Sequence, residues 1–187
     1  MEVITWSLES TSPAELRPAA PPRAAVVLRQ ARRVSPDLGR FLYAAVGDGW
    51  HWTDRLSWSR DDWRHWLEQG GIETWVAYVG GAPAGYFELD GRDRADVEIA
   101  YFGLFPDVLG LGLGGWLLTR AIRRAWALGA RRVWVHTCSL DSPNALANHR
   151  ARGLRVFREE TSVVDVEAAT LKRSFAGERT SRTLQRR

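Results

Sequence analysis

The segment that most restricts how this chain can fold is a change of texture between residues 97 and 128. Val97-Glu98-Ile99-Ala100-Tyr101-Phe102-Gly103-Leu104-Phe105 is almost unbroken apolar sequence with a single acid, which predicts a central strand covered on both faces. It leads into Gly110-Leu111-Gly112-Leu113-Gly114-Gly115. From there to about residue 128 a helix is expected, with Leu113, Leu117, Ala121, Ile122 and Ala125 along one stripe and Arg120, Arg123 and Arg124 mostly opposite. A strand, a run of glycines and a helix start together suit an anion. Small residues let backbone N–H groups close in, and the helix end adds about half a positive charge. The spacing is not G-x-G-x-x-G followed by an acidic partner about 20 residues on, and Gly-Lys-Ser/Thr is absent. A turn that merely permits tight helix–strand packing remains the alternative.

The flanking sequence supplies the rest of a mixed α/β sheet. Strands are expected at 3–9, 24–32, 74–79, 83–89 and 131–138, with one or two more between 154 and about 167. Gly80-Gly81 reads as a hairpin turn. Pro13, Pro18, Pro21 and Pro22 make residues 10–23 an extended surface linker. Ser35-Pro36 opens one helix, Ser59 caps a second that carries Trp63 and Trp66, and Ser142-Pro143 opens a short one closed by Gly153. The division expected is an N-terminal strand and Pro-rich linker (1–23), a catalytic-sized domain (24–167) and a basic, flexible tail (168–187). Hairpins followed by a strand–helix–strand unit indicate a mixed sheet rather than a doubly wound one.

Charge and composition then exclude several functions. Residues 172–187 hold six basic side chains and one acid, net +5 against +4 for the whole chain, which leaves residues 1–171 at about −1. Nucleic-acid binding needs a basic face or a dedicated arm, so it is not expected of the folded part. The one cysteine, Cys138, excludes an internal disulfide and a multi-thiolate zinc site, and no His/Asp/Glu group has metal-ligand spacing. No apolar run reaches bilayer length and no signal-like start is present. A cytoplasmic location without membrane contact is the expectation.

Strand, Leu104-Phe105-Pro106, then Gly110-x-Gly112-x-Gly114 and an apolar helix resembles motif A of the GNAT superfamily of acyl-CoA-dependent N-acetyltransferases. Leu109 stands where that motif usually has Gln or Arg. Downstream, Ala145, His149, Gly153 and Leu154 resemble the family's A-x-x-x-Y-x-x-x-G-F pattern, with His149 for Tyr and Leu154 for Phe. The resemblance covers roughly residues 24–167, and its specific motifs lie within 97–154. It implies a central, mostly antiparallel sheet with a splayed parallel strand pair and helices on both faces. It also implies acetyl-CoA as co-substrate. The pantetheine arm would lie between strands 97–105 and 131–138, and the pyrophosphate on the amides from Leu111 to Gly115. The cofactor-binding set so implied is Leu104, Phe105, Leu111, Gly112, Leu113, Gly114, Gly115, Ser142 and Asn144.

Acyl transfer to an amine needs a base for the ammonium, donors for the oxyanion and a proton for the departing thiolate. Glu98 matches the strand glutamate that some GNAT enzymes use as base. Period 2 would put Glu98, Ala100, Phe102 and Leu104 on one face. A plain strand-end carboxylate paired with an arginine such as Arg94 is the other reading. His149 takes the position of the family's tyrosine acid, though a histidine is mostly neutral at pH 7 unless a carboxylate raises it. His136 and Cys138 share a parity and read as strand neighbours more readily than as a nucleophile pair. Trp50, Trp52, Asp54 and Trp58 are the acceptor-pocket candidates, because aromatic faces attract cations and Asp54 can hold an ammonium. The alternative for this region is tryptophans that anchor a loop and pack a helix. The function expected is transfer of acetyl from acetyl-CoA to a primary amine of a small molecule by direct attack in a ternary complex. A protein N-acetyltransferase, a non-catalytic acyl-CoA-binding module and a homodimer stay open.

Overall fold

The computed structural model describes residues 1–164. The expected tail at 168–187 and the last residues of the 24–167 domain lie outside the described residues. Along the chain come β1 (Glu2–Ser10), a 3-10 turn (Pro13–Glu15), β2 (Val26–Gln30), α1 (Pro36–Gly47) and α2 (Arg60–Leu67). Then follow β3 (Ile72–Val79), β4 (Ala82–Asp90), β5 (Asp96–Leu104), a 3-10 turn (Pro106–Val108) and α3 (Leu113–Ala127). The described part ends with β6 (Arg132–Cys138), α4 (Ala145–Ala151) and β7 (Arg155–Val163). The strands form one mixed sheet in the order β2-β3-β4-β5-β6-β1-β7. Among the described residues β5 and β6 are its parallel neighbours.

The helix starts follow from their caps. Ser35 accepts a hydrogen bond from the Leu38 N–H with Pro36 in the first turn, and Ser59 forms a capping box with Asp62. One face of the sheet carries α3, whose Leu117, Leu118, Ala121, Ile122 and Ala125 pack on Phe87, Leu89, Val97, Ile99 and Val133. Each such fully buried leucine contributes roughly 1.5–3 kcal/mol. The opposite face carries α1, where Leu42 and Val46 meet Val76 and Tyr86. The Pro-rich linker is tied down rather than loose. Arg17 N–H donates to the Arg152 carbonyl and Ala19 N–H to Thr119 Oγ1. Gly153 is obligatory beneath it, since a Cβ there would sit 1.9 Å from the Glu15 carbonyl oxygen.

Two expectations about β5 are corrected. First, the strand is not covered on both faces throughout. Val97 and Ile99 are buried, whereas residues 100–104 are only half-buried because they border an open cleft. Second, the alternation is broken by a bulge at Ala100: Glu88 pairs with Tyr101 and Leu89 with Ile99, so Ala100 has no partner of its own. Phe102 and Leu104 therefore lie on the α3 face with Val97 and Ile99. Tyr101, across from Glu88, and Gly103, against Val46, lie on the α1 face. Glu98 does not share a face with Phe102 and Leu104.

Candidate active site in the cleft between β5 and β6

Parallel pairing of β5 with β6 lasts for three positions, Asp96 with Arg132, Val97 with Val133 and Glu98 with Trp134. Beyond that the strands part. The gap opens into a cleft of about 840 Å³, whose walls come from the second half of β5, the end of β6, the start of α3, the cleft side of α4 and residues 50–54.

The end of the cleft at α3 is made of backbone. Gly112 caps the helix in the left-handed region (φ 76°), and Gly110 is also left-handed (φ 84°), a conformation that strains any residue with a Cβ. At both positions a Cβ would meet no protein atom within 4 Å, so the space before them is open. The N–H groups from Gly112 to Gly115 have no hydrogen-bond acceptor among the described residues, as the first turn of a helix dictates. Of the sequence candidates, Leu104, Gly112, Leu113, Gly114, Gly115, Ser142 and Asn144 border the cleft. Two do not. Leu111 is half-exposed and its N–H turns back to the Val108 carbonyl at 3.4 Å. Phe105 faces away, its ring 5.8 Å from that of Phe41.

The other end is made of side chains. Trp50, Trp52 and Asp54 border it. Asp54 accepts hydrogen bonds from the hydroxyls of Tyr43 (2.5 Å) and Tyr101. Burial, and then the Asp54 carboxylate, push both phenols well above their ordinary range, so they remain donors. Asp141 accepts from Thr137 Oγ1 (2.7 Å), the Cys138 N–H (2.9 Å) and Trp52 Nε1 (3.3 Å). Trp58 lies outside the cleft. With Trp66 and Tyr101 it encloses the buried Arg55 guanidinium at 4.2–4.5 Å, and Arg55 pairs with Glu88 at 2.8 Å. This arrangement fixes the loop behind Asp54, so the packing alternative holds for Trp58, Trp63 and Trp66.

Between the two ends stands an imidazole that sequence reasoning undervalued. His136 Nδ1 is 3.0 Å from Glu98 Oε1. The carboxylate can only accept, so Nδ1 is the donor and the Nε2 lone pair of the neutral ring is left free. The hydrogen bond to Glu98, with the charges of Glu98, Asp141 and Asp54, holds the His136 pKa above its ordinary value. His136 borders the cleft, whereas Glu98 sits behind it. His149 also borders the cleft but is 3% exposed, and its Nδ1 is buried without a partner. Burial pulls its pKa down to about 4, so at neutral pH it carries no imidazolium proton to give. Burial raises the pKa of the Cys138 thiol. Asp141, Tyr43 and Tyr101 had no local signal in the sequence. His51, left-handed at φ 57° in the cleft wall, had none either.

A family model described as the acetyltransferase (GNAT) family matches residues 37–154. A search of curated proteins returns no match. Among solved structures, a GCN5-related N-acetyltransferase from Sphaerobacter thermophilus superposes with a TM-score of 0.62 at 17% identity, over 84% of this chain and 49% of that one. A GCN5-related N-acetyltransferase from Kribbella flavida gives 0.61 at 17%, over 84% and 56%. An aminoglycoside acetyltransferase from an uncultured soil metagenomic sample gives 0.55 at 20%, over 75% and 97%. The chain thus spans about half the length of the first two, and at these identities the likeness is one of fold. With the family model covering both the glycine cradle and the α4 pattern, the chain belongs to the GNAT acetyltransferase family.

Proposed function

We propose that this chain transfers an acetyl group from acetyl-CoA to a primary amine of a small, positively charged molecule, by direct attack with both substrates in the cleft. The observation that carries this reading is His136, which borders the cleft where β5 and β6 part and has Glu98 behind it against Nδ1. Acetyl-CoA, when bound, supplies the activated acyl group. The open left-handed glycines and unpaired N–H groups at α3 fit its diphosphate, and Ser142, Asn144 and Leu104 border the path of its arm.

His136 Nε2 takes a proton from the acceptor ammonium. Glu98 orients the ring and stabilises the imidazolium, which makes it a positioning residue rather than the base itself. Asp54 and the Trp52 face hold the cation. His149 stays neutral, so solvent protonates the departing thiolate. A cationic acceptor is further supported by the walls of the cleft: among the described residues no arginine borders it, while Asp54 and Asp141 do. Amino sugars and polyamines have the right chemistry, and an aminoglycoside acetyltransferase is among the structures this fold resembles.

Thiol release across a panel of polyamines, aminoglycosides and amino acids tests the reading. His136→Ala should lower turnover about a hundred- to ten-thousandfold with acetyl-CoA affinity intact. Glu98→Gln should move the rising limb of the pH–rate profile to lower pH, because the group that raises the His136 pKa is gone. Undiminished turnover in His136→Ala removes the base. Acetyl-CoA binding with no thiol release for any amine would leave a binding module.

A further inference from the structure

We propose that Lys172 of the chain itself is a second acceptor, acetylated within the same molecule by the cleft between β5 and β6; the inference rests on the acetyl-CoA reading above. Lysine occurs once in the sequence, at residue 172, against 25 arginines. A guanidinium keeps its proton and cannot attack a thioester. The amine of Met1 is held in the sheet, where it donates to the Val164 carbonyl at 2.9 Å. Lys172 is therefore the primary amine that the chain can bring to its own cleft.

The register of the sheet shows that the chain between is long enough. β6 and β7 both pair antiparallel with β1, so they run the same way and finish at the end of the sheet where β5 and β6 part. His136 and Arg158 both stand opposite Ser7, two strands apart, which is about 10 Å. From Arg158 the chain follows β7 and then the Val164 N–H bond to Met1, about 20 Å farther along the strand. Val164 thus lies about 22 Å from His136. Lys172 is outside the described residues, but residues 165–172 span up to about 26–29 Å when extended. The lysine side chain adds its own length to that reach.

Charge favours the same encounter. Residues 172–187 carry net +5. Glu2 is exposed beside the end of β7, Asp54 and Asp141 border the cleft, and no described arginine does. A short tether also presents an amine at an effective concentration on the order of millimolar. A lysine is protonated at neutral pH, so His136 Nε2 first takes the proton. The Nζ lone pair then attacks the thioester carbonyl carbon, the C–N bond forms as the C–S bond breaks, and the thiolate takes a proton from solvent. The product is a neutral amide, so each event removes one positive charge from the segment.

Mass spectrometry of the full chain incubated with acetyl-CoA and no added amine tests the proposal. One acetyl group should appear, on Lys172, at a first-order rate that does not change on dilution of the protein. His136→Ala should slow it about a hundred- to ten-thousandfold. Lys172→Arg should take up no acetyl group there and release thiol with small amines as fast as the wild type. A rate proportional to protein concentration overturns the proposal, because the transfer would then run between molecules. Equal labelling of the wild type and His136→Ala overturns it as uncatalysed chemistry. An unlabelled Lys172 in a protein that turns over small amines overturns it and leaves the acetyl-CoA reading standing. A wild type that neither labels itself nor releases thiol with any amine overturns both.

Discussion

The two ends of the cleft are built from different materials. At α3 the polar groups are main-chain N–H donors, set by two left-handed glycines and a helix start. At the opposite end they are side chains from separate stretches: Trp52 and Asp54 in one loop, Tyr101 on β5, and His136 on β6 with Asp141 just after it, while Tyr43 on α1 donates to Asp54 from behind. A backbone site depends on local conformation, so few substitutions improve it and many destroy it. A side-chain site can change its selectivity one residue at a time without disturbing the fold. One half of the cleft is thus fixed and the other adjustable.

Substitutions can break that contrast. The largest effect is expected from Gly112→Val, which combines a strained left-handed φ with a side chain in the open space of the cradle. Calorimetry should find acetyl-CoA binding weakened about a thousandfold, ~4 kcal/mol. Retained affinity would mean that the glycines serve helix packing alone. Next comes His149, which lies on α4 between the two ends. Its folded pKa of about 4 is below the ordinary 6.5, so between those values the unfolded chain binds more protons and stability is lost as the pH is lowered. Urea unfolding should show up to about 3 kcal/mol lost on going from pH 7 to below pH 4, a component that His149→Phe abolishes. Identical pH profiles for the two proteins would show that the imidazole is hydrated or paired. The smallest effect is expected at the acceptor end. Asp54→Asn should raise KM for a cationic amine about tenfold, ~1.4 kcal/mol, with acetyl-CoA affinity unchanged. If acetyl-CoA binding fell as well, the two ends would not be independent.

The same contrast decides what could be read in the sequence. The glycine cradle, the Ser35 and Ser59 caps and the alternation of hairpin and helix are local patterns, and local patterns are written in neighbouring residues. The bulge at Ala100 is not, because it is defined by which residue of β4 faces which residue of β5, and it reversed the expected partners of Glu98. His136 was misjudged for a related reason. Its partner is 38 positions away across a parallel pairing, so spacing along the chain showed only the neighbour Cys138. The tryptophans divided by surroundings that their spacing could not show. Trp50 and Trp52 border the cleft, whereas Trp58 stacks on Arg55, whose buried partner Glu88 lies 33 residues on.

The unmatched alanine in β5 lets one strand serve two masters. Ahead of it the odd-numbered side chains feed the hydrocarbon interior under α3, and after it the even-numbered ones do. Removing that single residue would restore plain alternation. It would swing Tyr101 off the Asp54 carboxylate or expel Phe102 from the interior, so a deletion of three nucleotides would cost the protein either the hydroxyl that holds Asp54 or part of its core.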